Sequence, residues 1–479
     1  MHKTMKKRII ALLMLAVMLV STLAACGGNP SSNGGQAAIP GYKVPTGGYD
    51  GSEVTIKFAH TMGAKLQEVL NYHIGEFNKL YPNIHIEHSS YGGWSDIAGQ
   101  INTEMAADNQ PNIAYCYPDH VAMYNMAKAV VTLDNLIAST EPATKGDGTT
   151  ETLGLTAEQI ADFIPGFYNE GKVYGDNQMY TMPMSKSTEV LYYNKTFFEE
   201  NNLTVPTTWE EMEATCEKIL ALDPKSIPLG YDSEDNWFIT MCEQNGFDYT
   251  SASGEHYLFN NDNNKGFVKT LREWYEKGYV TTEALYGSYT SGLFTELDKT
   301  VSHSYMCIGS SGGASYQIPA DRAFEVGIAP IPQANTANKK VISQGPSLCI
   351  LKSGKSTDQH ILASWLFVKY LTTNMAFQTE FSSTSGYMPV LQSAAQNETY
   401  AGWLEKADGY SFLTAYVVKV GLEQADSYFT SPAFNGSTEA RKQVGALLAK
   451  CMSEKTDDVD GLINDAFENA YDECVFLAG

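Results

Sequence analysis

Apolar positions along this chain follow two alternating rhythms. In Val54–His60 they recur at every second residue, as in a half-buried strand. Leu66, Val69, Leu70, Ile74, Phe77 and Leu80 then recur at the spacing of one helix face. The same alternation predicts a strand over residues 84–88 and a helix carrying Trp94, Ile97, Ile101 and Met105. A strand over residues 113–117 and a helix opening near Asp119 follow. Strands alternating with helices of this length predict βαβ units on a largely parallel sheet. Such sheets place ligands outside the carboxyl ends of their strands. That brings forward His60, the turn into Trp94, and Tyr117 with Asp119.

The second half begins with an extended stretch over residues 180–195. Thr208 and Glu211 are spaced as a capping box, ahead of a helix with the stripe Met212, Cys216, Ile219 and Leu220. Helices are predicted over residues 237–244 and 260–277, and a strand over 301–308 before a Gly/Ser turn at 309–313. Extended runs at 324–332 and 341–351, a helix over 359–371 and two terminal helices complete the pattern. Trp209, Trp274 and Trp365 sit inside helical apolar stripes and are assigned to the core.

The N-terminus has a different rhythm. Lys3, Lys6, Lys7 and Arg8 precede an uncharged apolar run over residues 9–20 and then Leu23-Ala24-Ala25-Cys26. This is the form of a secretory signal over residues 1–25, ending in a lipobox whose Cys26 thiol is acylated. The run is shorter than the ~20 residues of a spanning helix. Residues 26–51, rich in Gly, Pro, Ser and Asn, read as a lipidated flexible linker. The expected location is the outer face of a cell membrane, with contact to the bilayer through lipid only.

About 450 residues remain after the leader, too many for one core and natural for two domains. The whole chain has 55 acidic and 32 basic residues, and loss of the basic leader leaves it more acidic still. That excludes nucleic acid, which is bound through Lys and Arg. Only Arg272, Arg322 and Arg441 follow the leader. The seven cysteines after Cys26 are scattered and predict neither a disulfide framework nor a redox site. His85 and His88 point to opposite faces of a strand, and His60 has no second ligand spaced to it, so no metal and no cofactor is expected.

Several landmarks then come in order: HTMG from His60, FNKLYPNI, SSYGGWSD, MYTMPMSKSTEVLYYNK, TWEEM, the Gly/Ser turn, FEVGIAPIP, SQGPS and SGYMPV. Together they resemble the family 1 extracellular solute-binding proteins of ABC importers, nearest to the glycerol-3-phosphate and sugar receptor branch. The resemblance covers residues 52–475. It implies an α/β, two-lobe periplasmic-binding-protein-like fold with hinge crossings, closing on a small carbohydrate. Lobe 1 would hold residues 52–186 and 330–388, and lobe 2 residues 187–329 and 389–479. Crossings are expected at residues 183–188, 329–332 and 389–392. The resemblance also implies ABC permease transmembrane subunits as partners, a monomer, and no enzymatic step.

By the same resemblance, Trp94 falls at a ligand-contacting aromatic position, and Tyr117 and Asp119 at a Tyr-acid pair. Ser187 falls at a hinge serine, Ser310 or Ser311 at a serine of the Gly/Ser turn, Gly345 at a backbone contact and Tyr387 at a turn tyrosine. Phe434 falls where the glycerol-3-phosphate branch has a ligand-binding arginine. Trp237, after the polar run 232–236, is added from its setting alone, since sugar sites favour large amphipathic rings. Without the arginine, a neutral sugar or oligosaccharide is expected. Alternatives are a glycerol-3-phosphate or phosphodiester receptor and a cell-surface glycoside hydrolase, which needs two carboxylates about a bond.

Overall fold

In a computed structural model of the protein, residues 41–174, 177–406 and 413–478 are described. The leader, Cys26 and the tether through residue 40 lie outside the described residues. The remainder of the expected tether does not behave as one. The Tyr42 backbone N–H donates to Thr132 Oγ1 (2.9 Å) and its hydroxyl to Asp358 Oδ1 (3.0 Å). Tyr49 is 1% exposed, edge-on to Tyr81 at 6.1 Å. Two aromatic anchors outweigh the Gly/Pro composition, and residues 41–51 pack on the body.

The first sheet grows from β1 (Val54–His60), α1 (Ala64–Leu80), β2 (Ile84–Ser90), α2 (Trp94–Ala106), β3 (Ile113–Cys116) and α3 (Pro118–Met126). β1 lies between β2 and β3 and is parallel to both. The apolar stripe read from the sequence buries Val69, Leu70 and Phe77 of α1. The chain then reaches β4 (Met182–Pro183) and crosses to β5 (Ser187–Asn194), the central strand of a second sheet.

That sheet is built from α4 (Trp209–Leu222), β6 (Leu229–Tyr231), α5 (Glu234–Asn245), α6 (Asp262–Glu276), β7 (Val280–Thr282), β8 (Met306–Ser310), β9 (Val326–Pro330) and β10 (Val341–Gln344). Gly345 and Pro346 lead back to β11 (Ser347–Ile350), which joins the first sheet antiparallel to β3 and β4. After it come α7 (Asp358–Thr373), α8 (Met375–Ser385), α9 (Leu413–Glu423), β12 (Tyr428–Phe429), α10 (Ser437–Ser453) and α11 (Val459–Ala478). The strand orders are β2-β1-β3-β11-β4 and β12-β10-β5-β8-β6-β7, with β9 also paired to β5.

The chain passes from Pro183 in the first sheet to Ser187 in the second, within the range the resemblance implies for a crossing. The return does not lie at residues 329–332. Ala329 and Pro330 continue the antiparallel pairing of β9 with Leu191 and Val190 of β5, so the chain stays on the second sheet until Gln344. The apolar run 341–351 reads as one strand but is broken at Gly345, whose φ of +94° suits glycine. Its halves belong to different sheets. Near the third expected crossing, Lys186 and Met388 exchange backbone hydrogen bonds at 3.0 and 2.6 Å.

The core forms two buried clusters. Phe58, Phe77, Trp365 and Phe367 belong to one, which also takes in Val190 and Tyr192 of β5 and Ile328 of β9 from one face of the second sheet, and Trp209, Trp237 and Trp274 belong to the other. Cys116, Cys216, Cys242, Cys307, Cys349, Cys451 and Cys474 are free thiols and buried, acting as small hydrophobes. Among the described residues no helix is long and apolar enough to cross a membrane, and no three metal-ligating side chains are grouped.

Candidate functional site

A cavity of about 720 Å³ opens between the two sheets, within the range of small-ligand sites. One wall is aromatic. Pro118 starts α3 directly after β3, so Tyr117 and Asp119 sit at the strand end, where the βα turn meets the cavity. Trp94, the first residue of α2, lies flat on Tyr117 (centroids 4.2 Å, 22°) and nearly parallel to Tyr115 (5.9 Å, 13°). Offset stacking of this kind fixes the rings, and Trp94 and Tyr117 both line the cavity.

The opposite wall is charged and comes from the second sheet's helices. Arg441 of α10 donates through Nη1 to Asp235 Oδ2 (2.8 Å) and Asn236 Oδ1 (2.5 Å) in the first turn of α5. Ser233 Oγ donates to the other oxygen of Asp235. Burial opposes the guanidinium charge, but Asp235 and then Asp119 outweigh it and raise Arg441 above its usual range. Burial likewise opposes the Asp235 charge, and Arg441 with the Ser233 bond still holds that carboxyl below its usual range. Across the cavity, Thr438 Oγ1 of α10 donates to Asp119 Oδ2 (3.3 Å). Glu170, Ser343 and Thr430 line the floor.

Trp94, Tyr117 and Asp119 are therefore brought together, and other expected residues lie elsewhere. Ser187 is 3% exposed at the first crossing, packed under Gly345, where an added Cβ would lie 2.7 Å from the Ser187 nitrogen. Ser311 is buried and its Oγ accepts from the Thr188 N–H (3.2 Å), while Ser310 Oγ accepts from the Gly312 N–H (3.2 Å). Ser310 thus caps the turn and Ser311 ties it to β5, and neither lines the cavity. Tyr387 packs over Gly312, close enough to add to the effect of burial in raising the Tyr117 phenol. It flanks the aromatic wall without lining the cavity.

Three expectations are corrected. Trp237 is 0% exposed and stacks on Tyr231 (4.5 Å, 10°) in the second core. Each helical residue turns about 100°, so with Asp235 and Asn236 facing Arg441 the next side chain turns inward. Phe434 is 5% exposed and stacks on His256 (4.5 Å, 9°). The chain reverses at Gly436 (φ +104°), and residues of α10 reach the cavity instead. His60 is 0% exposed, away from the cavity, and not alone: its Nε2 lies 2.9 Å from His88 Nδ1. In parallel β1–β2 pairing, Phe58 stands opposite His88 and brings the two rings together.

The sequence reading missed Arg441 as a site residue, along with Asp235, Asn236, Thr438 and Glu170. Their signal was faint. Arg441 is one of only three arginines beyond the leader, and Asp235 and Asn236 belong to a polar run that drew attention only to Trp237.

A family model for bacterial extracellular solute-binding proteins matches residues 74–407. The chain is 22% identical to the multiple sugar-binding protein of Streptococcus mutans, over 68% of this chain and 73% of that protein. It is 24% identical to the sn-glycerol-3-phosphate-binding periplasmic protein UgpB of Escherichia coli, over 75% and 80% of the two chains. The crystal structure of UgpB from Mycobacterium tuberculosis with glycerophosphocholine superposes with a TM-score of 0.69 at 17% identity, covering 88% of this chain and 98% of that one. The two-lobe architecture is thus a periplasmic-binding-protein-like fold, and the chain belongs to the bacterial extracellular solute-binding proteins.

Proposed function

We propose that this protein is the capturing receptor of an ABC importer, tied to the outer face of the cell membrane by lipid on Cys26. It takes a neutral sugar or short oligosaccharide between its lobes, performs no chemistry on it, and as a closed monomer delivers it to the transmembrane permease subunits. The observation that carries this reading is an aromatic platform, Trp94 on Tyr117, facing the fixed Arg441–Asp235–Asn236 wall across one cavity. A sugar ring has apolar C–H faces for the first and a rim of hydroxyls for the second.

Arg441 in the cavity favours a second reading, an anionic glycerophosphate ligand of the kind for which the UgpB relatives are named. The local charge balance weighs against it. Arg441 is already paired with Asp235, and Asp119, Glu170 and Glu439 also line the cavity, with Lys442 as the other lining cation. A phosphate would have to compete with a buried carboxylate for the same guanidinium. A hydroxyl can accept from its remaining N–H groups without displacing anything.

Thermal unfolding with maltose, maltotriose, raffinose, glycerol-3-phosphate and glycerophosphocholine tests the choice. A bound ligand raises the midpoint according to its concentration over Kd. At least one saccharide is expected to stabilise the protein and glycerol-3-phosphate is not. Stabilisation by glycerol-3-phosphate that fades with salt would select the second reading. Sugar fragments released during incubation would select a hydrolase.

A further inference from the structure

The floor of the cavity holds an ion pair that reaches both lobes. Glu170 lies in the 3-10 turn Glu170–Lys172 on the first-sheet side and is 4% exposed, and Lys186, on the crossing between β4 and β5, is 0% exposed. Their carboxylate and ammonium are in direct contact. Lys186 Nζ also donates to Ser347 Oγ (2.9 Å) and the Gly345 carbonyl (3.3 Å), on the second crossing. The other Glu170 oxygen accepts from Ser343 Oγ of β10 (3.1 Å), with Thr430 Oγ1 just beyond β12 at 3.5 Å. Ser343 and Thr430 belong to the second sheet's lobe.

Taking two charges out of water is expensive, and an apolar pair of equal volume holds a core at least as well. Fold stability alone therefore does not account for an ion pair at this junction. We propose that Glu170 is the latch of lobe closure: anchored by Lys186 at the pivot, its carboxylate holds Ser343 and Thr430 of the opposite lobe and favours the closed arrangement. This rests on reading the cavity as a receptor site between lobes that open and close by hinge motion.

Hydroxyl–carboxylate bonds keep their strength only over a few tenths of an ångström. Rotation of the second lobe about the crossings stretches those to Ser343 and Thr430, while Lys186, on the pivot, stays with the carboxylate. Opening then gives up the hydroxyl bonds to a carboxylate still anchored by Lys186, and water entering the cleft replaces charge-assisted contacts that were already oriented, which disfavours the open state. A receptor whose closed state is better populated loses less of its affinity to the conformational step.

The test is the lobe-to-lobe distance distribution of the ligand-free protein, read by pulsed electron spin resonance with labels at Glu68→Cys on α1 and Glu217→Cys on α4. Both positions are exposed and the seven native thiols described above are buried. The combined Ser343→Ala and Thr430→Val variant keeps the ion pair and removes only its hold on the second lobe. It is expected to lower the closed population several-fold, and Glu170→Gln to act in the same direction. An unchanged distribution in the Ser343/Thr430 variant overturns the latch, whether or not Glu170→Gln folds. The readout needs no sugar: a protein that binds none of the panel yet opens in this variant keeps the latch and loses the proposed ligand.

Discussion

Arg441 meets the cavity with part of its guanidinium already committed, and that sets what the neighbouring residues can do. With Nη1 held by Asp235 and Asn236, the wall is rigid before a ligand arrives, and the adaptable contact falls to the Trp94 face opposite. Trp94→Ala is expected to weaken binding of the best saccharide by about 1–3 kcal/mol, the scale of a lost ring face, with little change in melting temperature. Trp237→Ala removes a fully buried ring and is expected to cost about 3–5 kcal/mol of stability. Calorimetry beside thermal melts separates the two, and equal loss of affinity in both variants would contradict the placement. The histidine pair gives a second expectation. His60 Nδ1 accepts from the Met62 N–H (3.1 Å), so its Nε2 donates to His88 Nδ1, and His88 Nε2 then donates to Asn71 Oδ1 (3.0 Å). Burial, with His88 adding to it, pushes His60 down to about 4. The unfolded chain takes up the proton first, near pH 6.5. The stability from the neutral pair is therefore present above about pH 6.5 and lost as pH falls toward 4. Urea titrations across that window are expected to show a shallower pH slope for His60→Gln than for the native protein.

At the scale of elements, the caps and crossings decide where chains stop and turn. Thr208 Oγ1 accepts from the Glu211 N–H (3.1 Å), as the spacing foretold, but the Glu211 carboxylate reaches back to the Thr207 N–H (2.8 Å), one residue earlier than a capping box requires. At the second crossing, Gly345 combines a positive φ with backbone packed against its α-carbon: an added Cβ would meet Ser187 N at 2.7 Å and Lys186 Cα at 2.9 Å. Gly345→Ala is expected to destabilise the protein by more than the ~1 kcal/mol of an ordinary glycine-to-alanine backbone effect, because neither crossing can shift without the other. Denaturant unfolding measures it. A loss below that figure would mean the crossings slide independently.

At the scale of the whole molecule, the proposed lipid attachment and the proposed ligand capture can be tested separately. Acylation needs the Cys26 sulfur, and the described body has no helix fit to span a bilayer. Cys26→Ala is expected to move the protein from the membrane fraction to the soluble exported fraction without altering ligand-induced stabilisation. Retention of that variant on membranes after alkaline washing would mean another anchor. The two-lobe form is as legible at this scale as the landmarks that suggested it, from HTMG at His60 to SGYMPV, because βαβ rhythm and turn spacing survive where individual residues do not.

Local order, by itself, determined β1 to β3 with α1 to α3, the cap at Thr208, and the core residues Trp209, Trp274 and Trp365, whereas the first crossing near residue 183 came from the resemblance. The locally determined features depend on periodicity or on neighbours a few positions away. Which of two tryptophans after polar turns faces a ligand depends on helix phase against a sheet that other segments build. Placing Arg441 opposite Trp94 joins residues hundreds of positions apart, and Glu170 gains its meaning only where Lys186, Ser343 and Thr430 converge. The run 341–351 shows the boundary most plainly. Its apolar pattern is continuous, but one glycine lets the backbone turn, and the two halves bury their faces in different sheets because only the tertiary structure supplies the partners.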